Sequence, residues 1–399
     1  MKISIIVSAY NNGRFIFECV TSILRAINGL HAELIIVDDC STDDTLTEIR
    51  RGVRDAIAPV NIIDKKANEG LVASRKSGFL ASRGEYVSFI DGDDFVSQNH
   101  YKDIVNSLLE NASADVVCMG FTQVTANGDL LQMKNNFDPD IYLGEKKNEL
   151  VAGMLFNKNK EDFGIFSYLW CKIFRRELIP ELINNVDDDI FLGEDACITY
   201  PAINLAESVL VSEIDSYYYR QHGASGVRSF DNFSDEMKKL KKVHKFLLSH
   251  LSKISRFGCL DKNTMIDQVS RYLIILVLSR SDPLKLIGSI KPFSIAIVDF
   301  DAKRKTYILG DGLLQDRYYM WLSAYFPNIQ KLSYAACTTH RPFGSDDIYF
   351  ICTVDGSKQR RFRELLISLN VDTRRIFGMN LPKYPEARLD EFWRENYAL

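Results

Sequence analysis

The sequence predicts an α/β protein organised around a mainly parallel sheet, and three observations carry that expectation. Short β-branched runs alternate with helical patterns through the first 120 residues. The first, second and fourth runs each stop at a cluster of Asp, Asn or Ser, and the carboxyl ends of parallel strands are where ligands bind. A fresh strand–helix alternation begins at Phe293, after Asp282-Pro283 and Lys291-Pro292 break a helical stretch. Short buried strands separated by helices imply a parallel sheet covered on both faces. At 399 residues the chain exceeds one comfortable core. We therefore expect a sheet domain over 1–225, a helical extension over 226–289 and a small Rossmann-like α/β module over 290–399.

Taken in order, Ile3 to Ser8 reads as the first strand, running into Tyr10-Asn11-Asn12-Gly13 and a helix from Arg14 to Ile27. Glu33 to Val37 is the second, stopped by Asp38-Asp39. Ser41-Thr42-Asp43-Asp44 then offer N-cap oxygens to a helix reaching about Arg54. Val60 to Ile63 is a third strand, Gly70 to Ser82 a third helix, and Tyr86 to Ile90 a fourth strand ending at Asp91. From Val116 to Tyr219 strand-like pieces mix with helices around Trp170 and Glu194, and from Phe233 to Arg280 the pattern is helical. Asp231-Asn232 caps a basic segment (Lys238, Lys239, Lys241, Lys242, Lys245) whose partners Leu240, Val243, Phe246 and Leu247 keep helical spacing. A solvated helix face is the ordinary reading of that run; peripheral docking on an anionic membrane surface is the sharper one. In the last module Ile295 to Val298, Thr306 to Leu309 and Ile348 to Val354 read as strands. Helices are expected from Gly312 to about Phe326 and from Phe362 to Leu369. Gly310-Asp311-Gly312 lacks the third glycine of a dinucleotide fingerprint and is read as structural.

Composition narrows the function. A net charge of −4 argues against nucleic-acid binding, which shows as a basic domain. The eight cysteines contain no C-x-x-C pair and sit mostly in apolar runs, as free thiols of a reducing cytosol do. Ile3-Ser4-Ile5-Ile6-Val7 is too short for the apolar region of a signal peptide. The longest apolar run, Tyr272 to Leu278, falls far below the roughly 20 residues that cross a bilayer. The expectation is a cytoplasmic protein, with peripheral contact at the inner face of the plasma membrane as the sharper reading of the basic segment.

Asp91-Gly92-Asp93-Asp94 carries the strongest chemical signal. Three carboxylates within four residues repel one another unless a cation or strong donors neutralise them. Mg²⁺ typically takes one or two carboxylates together with substrate phosphates. Gly92 allows a ligand to approach the backbone closely. A capped turn accounts for one or two of these aspartates but not for all three. Asp39 of the Asp38-Asp39 pair can accept from a ring N–H or a ribose hydroxyl, or simply cap a turn. Asn68-Glu69-Gly70 opens a helix whose N-terminus favours an anion, with Arg75 one to two turns in and placed to face a phosphate. Glu194-Asp195, after Phe191-Leu192-Gly193, supplies either a base for an acceptor hydroxyl or capping carboxylates. Tyr217-Tyr218-Tyr219-Arg220-Gln221-His222, with Ser225 beyond, combines aromatic faces and donors that suit sugar rings and diphosphate, or else packs a strand. His222 is a candidate third metal ligand or phosphate donor.

Six stretches, in this order and spacing, resemble glycosyltransferase family 2, the inverting group with a GT-A fold. They are "ISIIVSAYNNGRFIFECVTSIL", "ELIIVDDCSTDDT", "NEGLVASRKSGFLASRGEYVSFIDGDDF", "WCKIFRREL", "GEDACITYPA" and "YYYRQHGAS". The likeness covers about residues 1 to 225, and is greatest to bacterial members that build capsular or lipopolysaccharide chains. It implies a nucleotide-sugar donor, UDP-linked, a glycan or lipid-linked acceptor, and Mn²⁺ or Mg²⁺. It further implies that Ala9 and Tyr10 with Asp39 border the base, while Asn68, Arg75 and Gly92 belong to the donor site. Asp91 would touch ribose or metal-bound water, and Asp93 would ligate the metal. Asp195, beside Glu194, would be the catalytic base. Trp170 and Lys172 would line the acceptor side, and Arg220 and His222 would close over the diphosphate. The stretch from about 290 to 399 lies outside the resemblance. The channel and Q-x-x-R-W motif of processive synthases are missing, so single-sugar addition or a soluble polymerase is expected. A sugar-phosphate nucleotidyltransferase calls for a glycine-rich loop early in the chain, where Ser8 to Arg14 has only Gly13. A non-catalytic scaffold would be favoured by a broken aspartate cluster or a missing Glu-Asp pair, and both are intact.

Overall fold

The computed structural model describes residues 2–111, 114–157, 160, 162–190, 192–222, 233–253, 262–278, 305–323, 326, 328–333, 335–336, 347–353 and 356–378. Outside these lie the strand expected over 295–298, the proline breaks at 282–283 and 291–292, the 231–232 cap, Phe191 and Ser225. The chain divides into two compact units, one of residues 1–154, 164–227 and 238–260, the other of 155–163, 228–237 and 261–399.

In the first unit the strands are β1 (Ile3–Ala9), β2 (Ala32–Asp38), β3 (Val60–Asp64), β4 (Tyr86–Asp91), β5 (Phe95–Val96), β6 (Val116–Cys118), β7 (Phe121–Val124), β8 (Leu130–Met133), β9 (Asp140–Tyr142), β10 (Lys172–Arg175), β11 (Val209–Val211) and β12 (Tyr217–Arg220). Eight of them form the main sheet in the order β3-β2-β1-β4-β10-β6-β11-β9, the first four mutually parallel. Every residue of β1 is buried, Ser4 and Ser8 included, as a strand covered on both faces requires. Register places Ala9 beside Asp38 and Ser8 beside Asp91, so three strand ends finish at one level.

Helices α1 (Ile16–Ala26), α2 (Thr45–Gly52) and α3 (Leu71–Ala81) connect these parallel strands. α1 buries Ile16, Cys19, Val20, Ile23 and Ala26, the spacing of one helix face. Asp44 stands at the N-cap of α2 without a side-chain cap hydrogen bond; Asp43, one residue earlier, accepts from the amides of Thr45 and of Gly13, each at 3.0 Å, and so ties down the loop after β1. α3 lies so near β1 that a Cβ on Gly78 would stand 2.3 Å from Ile6 Cγ2. Gly78→Ala is therefore expected to lower stability by about 1–3 kcal/mol despite its better helix propensity. Urea unfolding checks this, and an unchanged midpoint would show that the helix shifts freely.

A second sheet, β5-β12-β7-β8, stands next in importance for the site. In it β12 runs antiparallel to β5, with Tyr217 opposite Val96 and Tyr218 opposite Phe95. This pairing brings a strand from late in the chain against the residues that follow Asp94.

The second unit contains α9 (Lys262–Leu278) and a four-stranded, all-parallel sheet. Its strands are β13 (Thr306–Leu309), β14 (Ile329–Leu332), β15 (Ile348–Ile351) and β16 (Ile376–Gly378), in the order β14-β13-β15-β16. The helices Leu313–Ser323 and Gly356–Ser368 match the two expected there. Tyr307, Leu309, Tyr349, Ile351, Phe362 and Leu366 are among the residues that form its core. The helical stretch expected over 226–289 is shared between the units: most of α8 (Phe233–Lys253) belongs to the first and α9 to the second.

Candidate active site at the strand ends

β2 gives way to Asp39, whose amide donates to the Ala9 carbonyl at 2.9 Å and so extends the strand pairing by one residue. The Asp39 carboxylate accepts from the Gly70 amide at 2.7 Å and the Glu69 amide at 3.1 Å, and pairs with Lys65 at 2.9 Å. Burial pushes this acid up, but Lys65 and the two amides outweigh it and hold it below the ordinary carboxylate range. Asp39 thereby fixes the 68–70 loop, where Gly70 takes a φ of 92° as the residue before α3. Ala9 is buried, Tyr10 is half exposed and Asn68 is exposed at the same edge.

β4 ends in a tight turn in which the Gly92 amide donates to the Ser8 carbonyl at 3.0 Å and the Asp94 amide to the Asp91 carbonyl at 3.1 Å. A Cβ on Gly92 would stand 3.0 Å from both the Ser8 carbonyl and Asn12 Oδ1. The glycine is required by the chain's own close approach.

The three aspartates take separate partners. Asp91 Oδ1 accepts from Arg75 Nη2 at 3.2 Å, and Asp93 Oδ2 lies 2.9 Å from His222 Nε2. Asp94 is buried, with Oδ2 accepting from the Tyr217 hydroxyl at 2.6 Å and Oδ1 from the Arg220 amide at 2.8 Å. Burial pushes Asp91 up to about 6, with Arg75 pulling down and Asp93 and Asp195 pushing up. Burial and then Asp93 and Asp91 push Asp94 well above its ordinary value.

Arg75, expected to face a phosphate, is 3% exposed and turned to carboxylates. Its Nη1 donates to Asp195 Oδ1 at 2.6 Å and to Glu194 Oε1 at 3.4 Å, while Nη2 holds Asp91. The two acids open α7 (Glu194–Leu205), entered through Gly193 at φ 88°. One guanidinium cannot neutralise three carboxylates, and Glu194 is pushed up to about 8, by burial first and then by Asp195. Below its unfolded value of 4.5 the group is neutral in both states. As pH rises from there towards 8 only the unfolded chain ionises, so folding stability falls. Glu194→Gln is expected to flatten that fall, and equal slopes of stability against pH in the two proteins would refute it.

Arg220 pairs with Glu18 at 2.9 Å, its guanidinium lying 4.8 Å from the Phe15 ring and 4.9 Å from that of Phe95. His222 packs on Phe15 at 4.5 Å. Trp170, 4% exposed, stacks on Tyr217 at 4.6 Å, Tyr168 at 4.8 Å and Tyr219 at 5.4 Å. Lys172 is fully enclosed: its ammonium donates to Cys171 Sγ at 3.0 Å and the Tyr168 carbonyl at 3.5 Å, so it lies beneath the site and does not border it.

The structure thus gathers Asp91, Arg75, Glu194 and Asp195 in one cluster. Asp93 meets His222 beside it, His222 and Arg220 both lie against the Phe15 ring, and Ala9 and Asp39 meet at the 68–70 loop. Sequence reasoning missed Lys65, Glu18 and the Tyr217 hydroxyl. The period of two in Tyr217-Tyr218-Tyr219 was the usable signal, since it sends the outer two rings to one face, where both stack on Trp170.

The pattern of the family described as Glycosyl transferase family 2 matches residues 4–182. Glycosyltransferase GlyG of Streptococcus pneumoniae is 32% identical over 230 residues, 57% of this chain and 73% of that protein. The uncharacterized glycosyltransferase EpsJ of Bacillus subtilis is 30% identical over 222 residues, 55% of this chain and 61% of its own length. TarS of Staphylococcus aureus, a poly(ribitol-phosphate) beta-N-acetylglucosaminyltransferase, is 24% identical over 244 residues, 60% of this chain and 39% of TarS. The crystal structure of TarS 1–349 in complex with UDP superimposes with a TM-score of 0.44 at 22% identity, over 73% of this chain and 85% of that one.

Proposed function

This chain belongs to glycosyl transferase family 2, and on that premise we propose that it moves a sugar, with inversion, from a nucleoside-diphosphate sugar to an acceptor hydroxyl. UDP is the proposed nucleotide, and a glycan or lipid-linked chain of the bacterial surface is the proposed acceptor. The observation that carries this reading is the gathering of Asp91, Glu194 and Asp195 on buried Arg75, at the edge where β1, β2 and β4 end. Asp195 takes the proton of the acceptor hydroxyl as the new bond forms at the anomeric carbon. Arg75 orients that carboxylate, donating to Asp195 Oδ1 at 2.6 Å. Ala9 and Tyr10, with Asp39 holding the 68–70 loop, border the base, and Arg220 and His222 close on the diphosphate. A polymeric surface acceptor is in keeping with the name of the TarS relative.

A divalent cation, Mn²⁺ or Mg²⁺, suits these donors. Burial first, and then the neighbouring carboxylates, push Asp91 and Asp94 up, a cost that a cation would relieve. Among the described residues no group of three or more His, Cys, Asp or Glu is arranged to hold a metal ion. An ion here would rest on Asp91 and Asp93, with His222 beside Asp93 and diphosphate oxygens completing the shell. When bound it supplies Lewis acidity toward the leaving nucleoside diphosphate. Asp93→Ala is expected to abolish Mn²⁺-assisted uptake of UDP-sugars in calorimetry. Equal uptake by parent and variant would remove Asp93 from the site.

Among the described residues no helix is long and apolar enough to cross a membrane. Six described cysteines are free, which suits work on the reducing side of the plasma membrane. Of the basic segment, Lys242 pairs with Asp187 at 3.1 Å and with Asp189 at 2.9 Å, so part of that charge is met within the protein.

A further inference from the structure

Tyr217 takes no part in the transfer chemistry above, yet it is wholly buried beneath the aspartate loop. Trp170 stacks on one face of its ring, 4.6 Å away at 17°, and the His100 ring meets it at 62° and 6.4 Å. His100 is itself fixed, since its Nδ1 lies 2.8 Å from Ser216 Oγ, one residue before Tyr217. Burial pushes that imidazole down to about 3, so it is a neutral wall to the ring.

Among the described residues the phenol oxygen makes two hydrogen bonds, and both are to the loop. It donates to Asp94 Oδ2 at 2.6 Å and receives the Asp91 amide at 3.4 Å. One atom thus touches the first and last residues of Asp91-Gly92-Asp93-Asp94. The second Asp94 oxygen takes the Arg220 amide at 2.8 Å, which ties the loop to the strand carrying Arg220. We infer that Tyr217 is a positioning residue for nucleotide binding, its hydroxyl holding the 91–94 loop in the shape that presents Asp91 and Asp93 to a diphosphate. This rests on the transferase reading above. Trp170, 4% exposed, then acts through Tyr217 and not by touching an acceptor. If Tyr217 served only to fill the core, its ring would matter and its hydroxyl would not.

Tyr217→Phe keeps the ring and removes the hydroxyl. With UDP and Mn²⁺ as the probe, calorimetry is expected to show about a tenfold weaker Kd, the size of one lost hydrogen bond to a charged group. Asp94→Ala, which removes the acceptor, is expected to weaken it at least as much, and the two together no more than Asp94→Ala alone, because both cut one link. An unchanged Kd in folded Tyr217→Phe overturns the inference, as does full additivity of the two changes. Should Tyr217→Phe fail to fold, Asp94→Ala decides alone: weakened uptake supports the inference and parent-like uptake overturns it. If the parent itself takes up no UDP with Mn²⁺, the transferase reading falls and this inference with it. Parent-like uptake by the variants removes the inference only.

Discussion

Asp195→Asn is expected to slow sugar transfer by about 10²–10⁴-fold, the usual loss on removing a positioned base, while leaving nucleotide-sugar affinity at the parent value. The change is isosteric, so the amide oxygen can still accept from Arg75 Nη1, which lies 2.6 Å from Asp195 Oδ1. Arg75 also keeps Asp91 at 3.2 Å and Glu194 at 3.4 Å, so the donor side of the cluster retains its brace. What disappears is the ability to receive a proton as the acceptor oxygen attacks. Initial rates over a range of donor concentration, with calorimetry of UDP binding alongside, separate the two effects. Near-normal turnover would move the base elsewhere, and lost nucleotide binding would make Asp195 part of the donor pocket.

Arg75→Met is expected to cost about 3–5 kcal/mol of stability, because it removes one buried charge and leaves its partners behind. The guanidinium is 3% exposed, and methionine fills much of its volume without its charge. Asp91, Glu194 and Asp195 would then share a site with no cation. The folded-state pKa values of Asp91 and Glu194 would rise further above the unfolded ones. Such groups leave stability intact below their unfolded pKa and remove it as pH climbs through the folded value. The deficit of Arg75→Met is therefore expected to widen between pH 5 and pH 8, the span containing the raised Asp91, at about 6, and the raised Glu194, at about 8. Urea unfolding at both ends of the range tests this. A variant as stable as its parent at pH 8 would show that water, not Arg75, satisfies the acids.

The parts of this protein that could be read from its sequence are those decided locally. β1, β2 and β4 were legible because β-branched runs flanked by polar residues allow little else, and their parallel register put Asp38 and Asp91 at one edge. β14 and β16 were missed: each is short, and half of Ile329–Leu332 is exposed, so neither shows a clean period. The site divides in the same way. That acids would collect at strand ends follows from the pattern, but which base each acid would find does not. Arg75 meets Asp195 across 120 residues of sequence, and no local rule records that distance. Lys172 misleads for a related reason. Its type suggests a surface, but the carbonyl and thiol that receive its ammonium are set by the turn at Tyr168 to Cys171.

The long-range tie between Asp94 and Tyr217 has a consequence for synthesis of the chain. A ribosome-bound segment ending near residue 182, where the family match stops, already holds β1 to β10 and the whole aspartate turn. It lacks both Asp195 and the hydroxyl that donates to Asp94, which follows 123 residues after that acid. Such a nascent piece would hold Asp94 without either of its partners, the Tyr217 hydroxyl and the Arg220 amide, until β12 emerges. Shortened chains ending before Tyr217 are therefore expected not to take up nucleotide.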